Sequence, residues 1–210
     1  MAEEGEADQS RLAKHAFWAI DPLDGTQRYV EGRPGYATSI ALVSRSGRPL
    51  LAVVYDPAND RLFEAVAGQG VRMNGEPLPP CGPPREDGPN PIWFADASLR
   101  KHARFADYDA RFDIRFVGGA VVNALHVLTT PGAMYIKAPK PQQGGCAIWD
   151  VAAVALFLEE HGGTVGTWTD APLDLNRTES IYFNDVGLVF FSPRLSSATC
   201  RQRLAEIHGP

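Results

Sequence analysis

From Glu76 to Pro91 the chain runs Glu-Pro-Leu-Pro-Pro-Cys-Gly-Pro-Pro-Arg-Glu-Asp-Gly-Pro-Asn-Pro. Each proline removes a backbone donor and fixes φ, so neither a helix nor a sheet ladder propagates through such a stretch. The composition suits a linker. It predicts three parts: an antiparallel-sheet domain over 1–76, a Pro/Gly-rich linker over 77–91 and an α/β domain over 92–210.

The two flanks read differently. Tyr36 to Met73 alternates apolar runs with the turns Ser44-Arg45-Ser46-Gly47-Arg48 and Asp56-Pro57-Ala58-Asn59-Asp60. Consecutive hairpins of this kind predict an antiparallel meander. Beyond the linker, the runs Ile92-Trp93-Phe94-Ala95 and Ile114-Arg115-Phe116-Val117 read as strands and alternate with helical patterns over Ala120 to Thr129 and Ile148 to Glu160. That alternation predicts a layered α/β arrangement. Leu188 to Ser192 reads as a buried strand, and Pro193 to His208 as a terminal helix with Pro193 near its start.

Chemistry is concentrated in Asp21-Pro22-Leu23-Asp24-Gly25-Thr26, which follows the apolar strand pattern Ala16-Phe17-Trp18-Ala19-Ile20. Mg²⁺ prefers carboxylate, water and phosphate oxygens in octahedral array, and Asp21 and Asp24 supply carboxylates at i and i+3. Pro22 stiffens the turn between them. Gly25 lets backbone N–H groups approach an anion, and a helical turn starting at Gly25-Thr26 aims free N–H groups at the same place. The plainer alternative is a strand-to-turn corner capped by Asp24. The spacing differs from the D-x-D-G-T signature of haloacid-dehalogenase-like phosphatases, in which one residue separates the aspartates. A second carboxylate, Asp150 of Ile148-Trp149-Asp150-Val151-Ala152-Ala153, falls in the first turn of a helix with Val151, Val154, Ala155 and Leu158 at helical spacing and a stop at Gly162-Gly163. There it is either a favourable charge at the positive end of the helix dipole or a ligand.

W-A-I-D-P-L-D-G-T followed far downstream by W-D-V-A-A and then G-G resembles the inositol monophosphatase superfamily of Mg²⁺-dependent, lithium-sensitive phosphatases. Tyr36 to Leu42, Ala52 to Pro57 and Leu62 to Gly70 resemble successive strands of that family. The resemblance implies an αβαβα sandwich whose N-terminal helical layer is absent from this sequence. It implies a first domain that binds two or three Mg²⁺ through Asp21, Asp24, Asp150 and the Leu23 carbonyl, with Gly25 and Thr26 amides, together with Asp24, at the phosphate. Thr26 would orient the attacking water. Glu3-Glu4 matches an upstream acidic pair, which makes Glu4 a further expected metal ligand and catalytic residue. The implied reaction is direct hydrolysis of a small sugar, cyclitol or nucleotide phosphate by metal-activated water, with homodimers as the expected assembly. A non-catalytic metal- and phosphate-binding relative is the other expectation.

For the substrate, Gly118-Gly119-Ala120 resembles the Gly-Ser-Ala stretch that faces the substrate in inositol monophosphatases, with Gly119 in place of the serine. The alternative is that these glycines make room where a strand turns into a helix. Lys137 stands near a position where inositol monophosphatases often carry an acidic residue. Lys137 and Lys140 are either solvated or favour a second phosphate, as in the related 3′(2′),5′-bisphosphate nucleotidases.

Composition sets outer bounds. With 210 residues and 44% apolar content the chain can bury a sizeable core. Lys+Arg 20 against Asp+Glu 25 gives a net charge of −5 without a basic run, which disfavours nucleic acid as a partner. No apolar stretch reaches membrane-spanning length and the N-terminus shows no signal-peptide pattern, so the expectation is a cytoplasmic protein with no membrane contact. Cys81, Cys146 and Cys200 lack metal-type spacing and fit a reducing compartment.

Overall fold

The computed structural model describes residues 1–3, 9–82, 90–141 and 144–208. The first sheet is the expected meander, with six strands in sequence order: β1 (Ala16–Asp24), β2 (Ala37–Ser44), β3 (Pro49–Asp56), β4 (Arg61–Val66), β5 (Val71–Met73) and β6 (Glu76–Pro77). All its pairings are antiparallel. The short β6 lies at the edge, inside the stretch read as wholly irregular; Glu76 still pairs with Met73 before the prolines end the ladder. A short helix α1 (Thr26–Val30) follows β1.

The second sheet contains β7 (Ile92–Phe94), β8 (Asp113–Arg115), β9 (Ala133–Lys137), β10 (Thr164–Gly166) and β11 (Leu188–Phe191), in the order β10-β11-β9-β7-β8. β7 is parallel to β8 and β9, and the other pairs are antiparallel. Helix α2 (Phe105–Asp109) precedes β8, α3 (Ala120–Thr129) leads into β9, α4 (Ile148–Glu160) into β10, and α5 (Ser197–His208) closes the chain. The expected helices at 120–129 and 148–160 are present with those bounds. The terminal helix begins later than Pro193, because Arg194 takes a left-handed φ of 65° that no helix continues.

Layers stack as sheet, helices, sheet, helices. α4 packs on β1 to β4 on one side and on β10 and β11 on the other, while α3 bridges β1 and β2 to β7, β9 and β11. α4 is therefore buried all round from Val151 to Leu158, not along the single stripe its spacing suggested. On the far face of the second sheet, Leu204 and Ile207 of α5 pack with Trp93, Tyr108 and Phe112. A single larger cluster joins Phe17 and Val54 of the first sheet through α3 and α4 to Tyr135 and Phe190 of the second.

Cross-strand register explains how closely α4 approaches. Ala19, Ala41, Ala52 and Ala65 pair in one row across four strands, and all are buried on the α4 side. Their small side chains let the helix seat tightly, which sets the position of its N-terminus. Replacing Ala52 with leucine is expected to overpack this contact and lower stability by about 1–3 kcal/mol. A urea midpoint equal to that of the wild type would contradict this account of the packing. The neighbouring row, Trp18, Leu42, Leu51 and Val66, lies on the opposite face, where Trp18 and Val66 are exposed.

Candidate metal and phosphate site

The chain does not turn at Asp21 as a simple corner would. β1 continues to Asp24 across an irregularity: Asp21 pairs with Ser39 and Asp24 with Ala37, with the register shifting between them. Pro22 sits in that break, where no ladder donor is required of it, and its carbonyl accepts the Thr38 hydroxyl at 2.9 Å. The break keeps both carboxylates on the inward side, and both are buried. Gly25 then takes a φ of 79° and starts α1; a Cβ there would stand 2.6 Å from the Gly35 carbonyl oxygen. Only glycine fits that crossing of two backbones.

Each carboxylate is held by backbone amides. Asp21 accepts the Leu23 N–H at 2.9 Å. Asp24 accepts the N–H groups of Ala120 and Val121 at 3.1 and 3.0 Å, so it anchors the first turn of α3 from another strand. Asp150, in the first turn of α4, accepts the Ala147 N–H at 2.7 Å. Two elements far apart in sequence, β1 and α4, thus bring oxygens of Asp21, Asp24 and Asp150 within 4.8 Å of one another.

Such an arrangement is electrostatically costly without a cation. Burial raises the Asp21 pKa to about 6; a hydrogen bond with Glu3 opposes the shift and the Asp150 charge adds to it. Asp24 is pushed well above the ordinary carboxyl range, first by burial and then by Asp150 and Asp21. Burial also raises Asp150, against the pull of the Ala147 amide and of Lys137. Like charges this close either hold protons or share a cation. The oxygen-only donor set is that of a hard ion such as Mg²⁺.

The remaining expected residues fall around this cluster with different geometry. The Leu23 carbonyl accepts the Thr26 hydroxyl at 3.0 Å. Gly118, Gly119 and Ala120 lead into α3, and a Cβ at Gly119 would stand 2.4 Å from Asp24 Oδ2. Gly119 therefore makes room for the Asp24 carboxylate, the spatial alternative that its sequence left open. Glu4 lies outside the described residues. Its neighbour Glu3 is described: Met1 and Glu3 exchange backbone hydrogen bonds with Ile20, and the Glu3 side chain reaches Asp21. That Glu3 side chain was missed in the sequence, although the acidic pair was itself the signal.

Lys137, at the end of β9, forms an ion pair with Asp96 at 2.9 Å. Asp96 also accepts the buried Tyr135 hydroxyl at 3.0 Å. Burial works against the Lys137 charge, but surrounding anionic groups, including Asp96 and Asp150, hold its pKa above the ordinary lysine value. No local pattern around Asp96 announced this partner. Cys146 is fully buried and its thiol pKa is raised by that burial, which leaves it a poor nucleophile.

Comparison with known proteins gives the family. A family model described as the inositol monophosphatase family matches residues 1–203. A relative named Nus factor SuhB from Xylella fastidiosa is 36% identical over 164 residues, covering 74% of this chain and 57% of its own length. An inositol-1-monophosphatase from Bacillus subtilis is 26% identical over 189 residues, covering 86% of this chain and 68% of its own. Thus the chain spans little more than half the length of the first of these relatives. Among solved structures, inositol monophosphatase from Anabaena (Nostoc) sp. PCC 7120 superposes with a TM-score of 0.73 at 27% identity, covering 93% of this chain and 76% of that one. With a family model that matches residues 1–203 and a fold shared with a solved member, the chain belongs to the inositol monophosphatase family.

Proposed function

We propose that this chain is a Mg²⁺-dependent phosphomonoesterase acting on a small phosphorylated sugar, cyclitol or nucleotide. The observation that carries the reading is the convergence of Asp21 and Asp24, at the end of β1, with Asp150, at the start of α4, their oxygens within 4.8 Å of one another. These carboxylates and the Leu23 carbonyl would hold two or three ions, with the acidic pair Glu3-Glu4 as a further donor. Bound Mg²⁺ supplies a lowered pKa for water and neutralises charge on phosphate and leaving group. The protein's own part is placement: Gly25 and Thr26 amides at the phosphate, the Thr26 hydroxyl at the water, and Gly118 to Ala120 with Lys137 toward the leaving group. Asp24, tied to two amides of α3, couples the phosphate end to the substrate end.

The same reading includes a homodimer, supported by the exposed apolar positions Trp18, Tyr55 and Val66 of the first sheet. A reducing compartment such as the cytoplasm is supported by the three free cysteines. No helix among the described residues is long and apolar enough to cross a membrane.

Phosphate release from inositol 1-phosphate, measured with MgCl₂ and with EDTA, tests the proposal. Cation-dependent release supports it. Saturable Mg²⁺ binding with no release from any small phosphomonoester would instead make the chain a non-catalytic relative.

A further inference from the structure

The acidic triad is faced differently at its two ends. At Asp21 the neighbour is another carboxylate, Glu3. At Asp24 and Asp150 it is a cation: Lys137, at the end of β9, lies near enough to favour the charged form of both. Among the described residues Lys137 forms no ion pair with either of them, because its Nζ is held 2.9 Å from Asp96 Oδ2.

Asp96, just beyond β7, is fixed in its turn. Its Oδ1 accepts the Tyr135 hydroxyl at 3.0 Å and the Asn123 side-chain amide at 3.4 Å, which leaves Oδ2 turned to Lys137. Tyr135 and Asn123 are both buried. Asn123 also donates to the Gly118 carbonyl at 3.1 Å, at the entry to α3, where Asp24 takes the amides of Ala120 and Val121. One helix therefore ties the carboxylate that holds Lys137 to a carboxylate of the triad. A lysine stem is ordinarily free to wander, but here buried partners set where its ammonium stands. A fixed positive charge beside a divalent-cation site repels the incoming ion, and before the ion arrives it offsets part of the repulsion among the carboxylates.

Resting on the Mg²⁺ reading above, we propose that Lys137 is a tethered counter-ion of the metal centre: its ammonium steadies Asp24 and Asp150 in the metal-free protein and weakens the hold on the ion that binds between them. Asp96 is a positioning residue, because it keeps that ammonium from pairing with the triad directly.

Calorimetric titration of the full chain with MgCl₂ reads this affinity without substrate or turnover. Lys137→Met keeps the stem and removes the charge, and it is expected to tighten Mg²⁺ binding about tenfold, the effect of one unit charge on a divalent ion several ångströms away in a partly aqueous medium. Lys137→Arg should bind as the wild type does. Asp96→Asn should weaken binding, because an ammonium freed from its partner moves toward the triad. Loss of a merely structural contact would weaken binding in both Lys137→Met and Asp96→Asn, so the opposite signs are the signature. If Lys137→Met does not fold because Asp96 is left unpaired, the double variant Lys137→Met/Asp96→Asn removes both charges and should still bind more tightly than the wild type, since Lys137 acts on the triad more strongly than Asp96 does. Unchanged or weaker Mg²⁺ binding in the variant without the lysine charge would overturn the counter-ion, and unchanged binding in Asp96→Asn would overturn the role of Asp96. Either result leaves the metal reading standing. Absence of Mg²⁺ uptake by the wild type and by the lysine variant alike would overturn that reading, and the counter-ion with it.

Discussion

Asp21→Asn and Asp150→Asn are each expected to lower Mg²⁺-dependent phosphate release on the order of 10³-fold or more. Several kcal/mol of charge stabilisation by a metal centre corresponds to that loss. Both substitutions preserve shape, and an amide oxygen can still accept the Leu23 or Ala147 N–H that the carboxylate now accepts. The fold should survive for the same reason. Removing one of three mutually repelling carboxylates should leave the metal-free protein at least as stable as the wild type, because desolvation of the charged form is relieved. A variant with wild-type turnover would end the metal assignment. A variant that loses activity together with several kcal/mol of stability would show that the aspartate acts through the fold.

The second large effect is on stability, and its sign follows from the same burial. Asp21 titrates near 6 in the folded protein, against an ordinary value of 3.8. Between those values the folded state holds a proton that the unfolded chain does not, so stability without metal falls as pH rises through about 6. Asp24 and Asp150 are raised in the same direction. Saturating Mg²⁺ should offset this at neutral pH, by about 2.7 kcal/mol at one hundred times its dissociation constant. The gain should shrink below pH 6, where protons compete for the same oxygens. Denaturation with MgCl₂ or EDTA on either side of that pH reads both effects. Stabilisation by Mg²⁺ that does not depend on pH would mean that the ion binds elsewhere.

Much of this is legible in the amino-acid sequence. Two hairpin turns between β-branched runs define the meander, since turn chemistry and period-two patterning are local properties. Helices at 120–129 and 148–160 were equally local. The all-round burial of α4 was less so, because one apolar stripe in its spacing cannot reveal that a second sheet covers the other side. Across the Asp21–Asp24 break, Asp-Pro-Leu-Asp-Gly reads as a turn, yet pairing with Ser39 and Ala37 keeps it in the strand. Long-range ladder bonds overrode the local signal there.

Taken by itself, the sequence determined which residue types stand at which spacing: the two carboxylates of the hexapeptide, the aspartate that opens α4, the glycine needed after Asp24, and the alanines that later line up under a helix. Tertiary structure decided which of them meet. The register across β1 to β4 forms the alanine row, that row sets how near α4 lies, and α4 carries Asp150 to the other two. It also chose Asp96 as the partner of Lys137 and Asp24 as the neighbour for which Gly119 makes room. Those pairings join segments tens of residues apart. Their energies come from burial and close contact in the folded chain, which no local pattern encodes.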